Sequence, residues 1–226
     1  MRLSIIIPVL NEQTVIVETL QRLQTLRKAG HELIIVDAGS TDNTKKLAAP
    51  LADYLLEQKK RGRARQMNAG AKFAHNEILL FLHADTHLPA DAEILIINGL
   101  AKSGRQWGRF DVRLSGQAKL LRLVERLMNW RSCITGIATG DQAIFIQKSL
   151  YNKVQGFPEI PLMEDISLSK KLKRISPPLC IRKNPVITSS RRWEENGIIR
   201  TILLMWGLRL AYALRVNPET LKKYYH

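Results

Sequence analysis

Apolar and polar positions along the chain follow two rhythms. Three short runs, at 3–10 (LSIIIPVL), 32–37 (ELIIVD) and 78–82 (ILLFL), are continuous and apolar. Runs of this length read as strands buried on both faces of a sheet. After the first run Val15, Ile16, Leu20, Leu23 and Leu26 recur at helical spacing, and Gly30 stops the helix. The small and capping residues at 38–44 (AGSTDNT) lead into a helix over 43–49 that Pro50 closes. Residues 54–56 supply a short third strand and 66–75 a helix before the run at 78. Strands alternating with helices in this way predict a parallel sheet with right-handed crossovers.

The second half is more mixed. A helix is expected over 89–102 with Pro89 near its first position. Residues 107–114 (WGRFDVRL) alternate as a strand with one packed face, and 120–128 form an amphipathic helix with Arg122 and Arg126 on its polar side. A turn and strand follow at 139–146, a short helix at 151–156 and a two-proline loop at 157–162. Glu164 and Asp165 open the helix EDISLSKKLKR. Two short strands, 179–182 and 186–190, flank Asn184–Pro185, and a long, largely apolar helix runs over 197–216. No repeat or linker interrupts this order. The expectation is one α/β domain, 1–193, with a C-terminal helical appendage, 194–226.

Composition adds one strong constraint. Against 20 acidic residues stand 35 Lys and Arg, a net charge of +15. Such a balance calls for an anionic partner, whether nucleotide, lipid phosphate, anionic membrane surface or nucleic acid. Cys133 and Cys180 are far apart with no CxxC spacing, which suits a reducing, cytoplasmic compartment and small buried side chains. The N-terminus has no signal-peptide pattern, and arginines interrupt the one window that approaches membrane-helix length.

The candidate chemistry collects at strand ends, where ligands bind in open α/β sheets. The first strand ends at Asn11–Glu12, the second at Asp37, and the run at 78 ends in His83, Asp85 and His87, three potential metal ligands at alternate positions. The simpler reading of that trio is a polar loop capped by Asp85, with His87 a cap or surface residue. The basic stretch 59–65 (KKRGRAR) reads as a phosphate grip at a helix N-terminus or as a solvated turn. Glu164 and Asp165 suit a helix dipole as well as a reaction site.

IIIPVLNE, VDAGSTDNT, LHADT, TGDQAIFI, MED and SRRW, in this order and spacing, resemble the family 2 inverting glycosyltransferases, within a subgroup of small bacterial enzymes, over about 1–193. The resemblance implies a GT-A fold, a Rossmann-like, mostly parallel sheet flanked by helices. It also implies a nucleoside-diphosphate sugar donor and a divalent metal, Mn²⁺ or Mg²⁺. Pro8, Asn11, Glu12, Asp37, Gly39, Ser40, Arg63, Arg65, Asn68, His83, Ala84 and Asp85 then belong to the donor pocket, with Asp85 on the metal. Asp165 matches the catalytic base, and Gly140, Asp141, Gln142, Glu164, Arg192 and Trp193 fall on the acceptor side, Gly140 letting backbone approach the sugar. Two positions depart from the pattern. His83 replaces the first acid of the DxD motif, and Ser189 replaces the Gln of the QxxRW motif of chain-extending synthases, which argues against a processive polymer synthase.

The final helix suits a peripheral position on an anionic membrane beside a lipid-linked acceptor, a homodimer surface or a lid. Two rival functions are a sugar nucleotidyltransferase and a non-catalytic binder of nucleic acid or anionic lipid. Against the first stands the lack of a glycine-rich signature after the first strand. Against the second, and against nucleic acid as a partner, stand acids converging at strand ends.

Overall fold

The computed structural model describes residues 1–225; His226, the last residue of the expected appendage, lies outside the described residues. Eight strands form a single sheet in the order β3-β2-β1-β4-β7-β6-β8-β5. One half is parallel: β1 (Leu3–Val9) lies between β2 (Glu32–Asp37) and β4 (Ile78–Phe81), and β3 (Tyr54–Glu57) flanks β2. In the other half β7 (Ile144–Gln147) runs antiparallel to β4 and to β6 (Trp107–Leu114). There β8 (Leu179–Thr188) is parallel to β6, and the two-residue β5 (Thr86–His87) is antiparallel to β8.

The apolar runs become strands because each has two faces to bury. Successive side chains of a strand point to opposite sides. Ile5 and Ile7 of β1 pack with Leu33, Ile35 and Leu80 against the helix side that carries Ile16, Leu20 and Ile96. Ile6, Ile34, Val36, Leu79 and Phe81 face the other way, onto Met67, Ala71, Leu150 and Leu168. Each fully buried Ile or Leu contributes roughly 1.5–3 kcal/mol. The sheet is therefore held rigidly from both sides, and its polar strand ends stay at one edge.

Several boundaries differ from those expected. The first helix splits at Leu23 into α1 (Ile16–Arg22) and α2 (Gln24–Lys28). After α3 (Thr44–Ala48) and β3, α4 (Arg63–Phe73) begins three residues earlier than the expected 66, with Gly62 at φ 144° as its cap. Arg63 and Arg65 thus sit in a first helical turn. Pro89 lies outside α5 (Ala92–Ser103), which Asp91 precedes. The strand over 107–114 is buried on both faces along most of its length rather than on one. The helix expected over 120–128 extends to a full α6 (Lys119–Thr135), and α7 (Lys148–Lys153) starts directly from β7. Finally, 179–188 is one strand, not two. Asn184, at φ 56°, and a register shift opposite Phe110 and Val112 absorb the irregularity at Pro185.

Behind α8 (Glu164–Leu172) come α9 (Arg191–Glu195), α10 (Ile198–Ala213) and α11 (Pro218–Lys222). These last helices pack back on the domain: Leu208 and Leu221 are buried with Ile137, Met163 and Ile166.

Candidate active site

The site is built on the carboxyl ends of β1, β2 and β4. Asp37, the last residue of β2, is fully buried, and its Oδ1 accepts the backbone N–H groups of Gly39 (2.8 Å) and Ser40 (2.9 Å). Its Oδ2 is sealed from solvent with no partner. A buried carboxylate oxygen left unbonded is costly, so this position is prepared for a donor group. Asn11, at φ 57°, ties the first strand end to the same loop: Ser40 Oγ accepts its N–H (2.9 Å), and its side-chain oxygen accepts the N–H of Thr41 (2.9 Å). Gln66 of α4 donates to the carbonyls of Val9 (2.9 Å) and Val36 (2.7 Å) and fixes the two strand ends together.

Beside this loop lie Glu12 and Asp85. Burial raises the pKa of both, and the charge of Asp85 raises that of Glu12 further. Arg63 and Arg191 oppose this in both cases. Arg191 reaches the site through tertiary pairing. Thr86 pairs with Thr188, and the Asp85 carbonyl accepts the N–H of Ser189 (3.2 Å), which brings the start of α9 against the end of β4. Two carboxylates of like charge at an electropositive edge suit a hard divalent cation, which takes a carboxylate or two and completes its shell with substrate phosphates. Glu12 and Asp85 are the carboxylates at that edge.

The three alternate residues do not form a metal site by themselves. Among the described residues no three His, Cys, Asp or Glu side chains gather into one. His83 Nε2 is sealed from solvent without a partner, and burial holds the ring's pKa well below the usual value, so the imidazole is neutral. It packs where a Cβ on Gly140 would stand. A side chain at Gly140 would therefore clash with the His83 ring. His87 lies on β5, 4.0 Å from Glu18 at the outer surface.

Glu164 and Asp165, in the first turn of α8, line a narrow crevice together with Arg63 and His83. Asp165 is half-buried. Its Oδ2 accepts the N–H of Gly140 (3.0 Å) and its Oδ1 its neighbour Ile166's N–H (2.7 Å). Burial raises its pKa, and Arg209 pulls the other way. In Glu164 burial, then the charge of Asp165, pushes the pKa up to about 7. Asp141 is held by the Thr139 hydroxyl (2.5 Å). Arg131 of α6 faces Asp141 and Asp165, and burial together with Arg209 lowers its own pKa to about 10.

Other expected site residues are occupied elsewhere. Asn68 accepts from Tyr151 Oη (2.6 Å) and Phe157 N–H (3.0 Å) and donates to the Phe157 carbonyl (2.9 Å), so its amide clamps the loop before α8. Gln142 is fully buried; its side chain closes a capping box with Thr139 instead of facing an acceptor. Arg192 lies 3.8 Å from the Tyr225 ring centroid and donates to the Tyr225 carbonyl, and Trp193 packs with Leu114, Leu121 and Val124. Arg192 thus makes its cation–π contact with Tyr225. Arg65 pairs with Glu159 (2.9 Å), Pro8 sits inside the β1–β2 ladder, and the Ala84 carbonyl is held by Thr19 (2.5 Å). Three arginines near the acids, Arg131, Arg191 and Arg209, went unassigned in the sequence. Only Arg191 carried a local signal, as the neighbour of the recognised Arg192.

Residues 4–150 match the glycosyl transferase family 2 profile. Over 218 residues the chain is 25% identical to poly-beta-1,6-N-acetyl-D-glucosamine synthase of Staphylococcus aureus, covering 92% of this chain and 46% of that protein. The corresponding Staphylococcus epidermidis protein is 24% identical over 236 residues, 97% of this chain and 48% of its own length. The chain thus spans about half the length of the curated relatives it matches. Its fold is that of S. aureus TarS 1–349, solved with UDP-GlcNAc (TM-score 0.67, 17% identity, 84% of this chain and 58% of that one). It is also that of the mannosyltransferase PcManGT from Pyrobaculum calidifontis, solved with GDP-Man and Mn²⁺ (TM-score 0.63, 22% identity, 83% and 56%). With the family profile spanning well over half of its length, and with a mixed sheet carrying acids at the ends of β1, β2 and β4, the chain belongs to glycosyl transferase family 2 and has the GT-A fold.

Proposed function

We propose that the chain transfers a sugar from a nucleoside-diphosphate sugar to an acceptor hydroxyl with inversion at the anomeric carbon, and that Asp165 is the base. The observation that carries this reading is the placement of Asp165. Two backbone N–H groups orient its carboxylate, and burial raises its pKa toward the range in which a general base works well. It lines one crevice together with Arg63. Relatives solved with UDP-GlcNAc and with GDP-Man and Mn²⁺ support a donor of this class.

In this mechanism the Asp37 loop binds the nucleoside, with the free Asp37 Oδ2 accepting a donor N–H or O–H. Arg63 and Arg191 face the diphosphate. The acceptor oxygen bonds to the anomeric carbon from the face opposite the diphosphate, and Asp165 takes its proton. The bond from that carbon to the diphosphate oxygen breaks, and the nucleoside diphosphate leaves with the electron pair. A divalent cation on Asp85 supplies Lewis-acid stabilisation of that leaving group when bound. Burial and the charge of Asp165 push the Glu164 pKa up, which favours a protonated Glu164 beside an ionised Asp165.

Thermal shift against UDP, GDP, UDP-GlcNAc and GDP-mannose, each with and without Mn²⁺, tests the reading. A nucleotide sugar should stabilise the chain, more strongly with Mn²⁺, and Asp85→Ala should remove the Mn²⁺-dependent part. No stabilisation by any nucleotide or nucleotide sugar would refute it.

A further inference from the structure

Two neighbouring helices expose the same apolar pattern. On α6, Leu123, Leu127, Trp130 and Ile134 are exposed, at spacings of four, three and four residues. On α10, Ile199, Leu203, Trp206 and Leu210 are exposed at the same spacings. Each set is a stripe along one side of its helix. Neither stripe faces the core, because the opposite sides do: Leu121 and Val124 of α6 and Leu208 of α10 are buried. Leu121, Val124 and Met128 share one apolar cluster with Ile198 and Ile202, so α6 packs beside the start of α10. Trp130 is 67% exposed, Leu203 68% and Trp206 61%. Large apolar side chains exposed in such number along two helices mark a site that meets a protein or a membrane.

The charges on the same helices choose between those occupants. Exposed Lys119 and Arg126 on α6, and Arg200 and Arg215 on and just beyond α10, border the stripes. The one acid of α6, Glu125, is buried and bound to Arg122 (2.9 Å), and α10 carries none. In a two-fold dimer the same patch meets itself, so these cations would face cations with no exposed acid on either helix to answer them. An anionic lipid surface answers both features. Apolar side chains enter the acyl boundary, indole rings settle at headgroup depth, and long basic side chains reach the phosphates. No helix among the described residues is long and apolar enough to cross a membrane, so the contact is with one leaflet.

We propose that the paired outer faces of α6 and α10 are a docking platform for an anionic phospholipid bilayer. The platform borders the reaction centre, since Arg131 of α6 and Arg209 of α10 both act on Asp165. If Asp165 is the base, as proposed above, the acceptor class that follows is a hydroxyl carried by a lipid at the bilayer surface.

The test is sedimentation of the full chain with phosphatidylcholine vesicles containing about 30% phosphatidylglycerol, and with phosphatidylcholine alone. Wild type should bind the anionic vesicles at least about tenfold more strongly than the neutral ones, and about 0.5 M salt should weaken that binding. The double variant Leu127→Glu, Leu203→Glu should lose at least about tenfold in vesicle affinity with an unchanged circular dichroism spectrum. Wild type remaining in the supernatant with anionic vesicles overturns the proposal, as does a double variant that binds them equally well. Light scattering without lipid should show a monomer; a dimer that the double variant dissolves assigns the face to a second copy and also overturns it. The vesicle readout uses no sugar donor. Its failure leaves the glycosyltransferase reading intact, and failure of donor binding leaves the platform intact.

Discussion

Replacing Glu164 with Gln should stabilise the protein in alkali and not in acid. The side chain is 7% exposed, in the first turn of α8 beside Asp165, and its pKa is pushed up to about 7 from 4.5. A displacement of that size corresponds to about 3 kcal/mol at 1.36 kcal/mol per unit. Because the folded-state pKa lies above the unfolded one, the stability tied to the neutral carboxyl is fully present below about pH 4.5. It is lost as the pH rises through about 7. Gln mimics the neutral acid at every pH, so the variant escapes that loss. The advantage of Glu164→Gln over wild type should grow by about 2–3 kcal/mol between roughly pH 5 and pH 8.5, measured by urea unfolding at both pH values. Parallel pH profiles for the two proteins would refute the argument. So would a variant destabilised more at pH 8.5 than at pH 5, which would mean that the carboxyl is held by a specific bond to its ionised form.

Asp165→Asn should lower kcat by about 10²- to 10⁴-fold with donor affinity retained, and wild-type activity in that variant would remove Asp165 as the base. In the wild type, transfer should fall on acidification at a pH above the usual carboxylate range, because burial raises the Asp165 pKa and only its ionised form takes a proton; a pH–rate profile reads this directly. Gly140→Ala places a methyl group against the His83 ring and shifts the N–H that orients Asp165. It should cost about 1–3 kcal/mol and at least tenfold in rate, and adding His83→Ala should recover the stability; no recovery would show that the clash lies elsewhere. Asn68→Ala should cost about 2–3 kcal/mol in urea unfolding through the three bonds to Tyr151 and Phe157, whereas loss of donor affinity at unchanged stability would return Asn68 to the donor pocket.

The strands β1, β2 and β4 were legible because both faces of each are buried, which leaves an unbroken apolar run that local inspection detects. The same simplicity exposed the acids where those runs stop, and Glu12, Asp37 and Asp85 do share one edge of the sheet. Capped turns and apolar runs are local properties, set by side-chain sterics and by hydrogen bonds within a few residues. For α6 the local signal misled. Its arginines suggested one polar side, but about half of its apolar residues face outward, and periodicity cannot tell which apolar residues find a partner beneath them.

The chemistry of single side chains was decided by contacts distant in sequence. The pairing of β5 with β8 turns Arg191, and not Arg192, toward Asp85, while Tyr225, 33 residues onward, takes the Arg192 guanidinium. Gln142 and Asn68 matched motif positions, yet buried hydrogen bonds consume their amides. His83 stands where a carboxylate was expected, and its fit depends on the missing side chain of Gly140, 57 residues away. Local sequence encodes element type, order and the strand-end acids, because those follow from short-range sterics and periodic burial. Which side chain faces the crevice depends on long-range packing and on the satisfaction of every buried polar group, and only the folded chain brings those partners together.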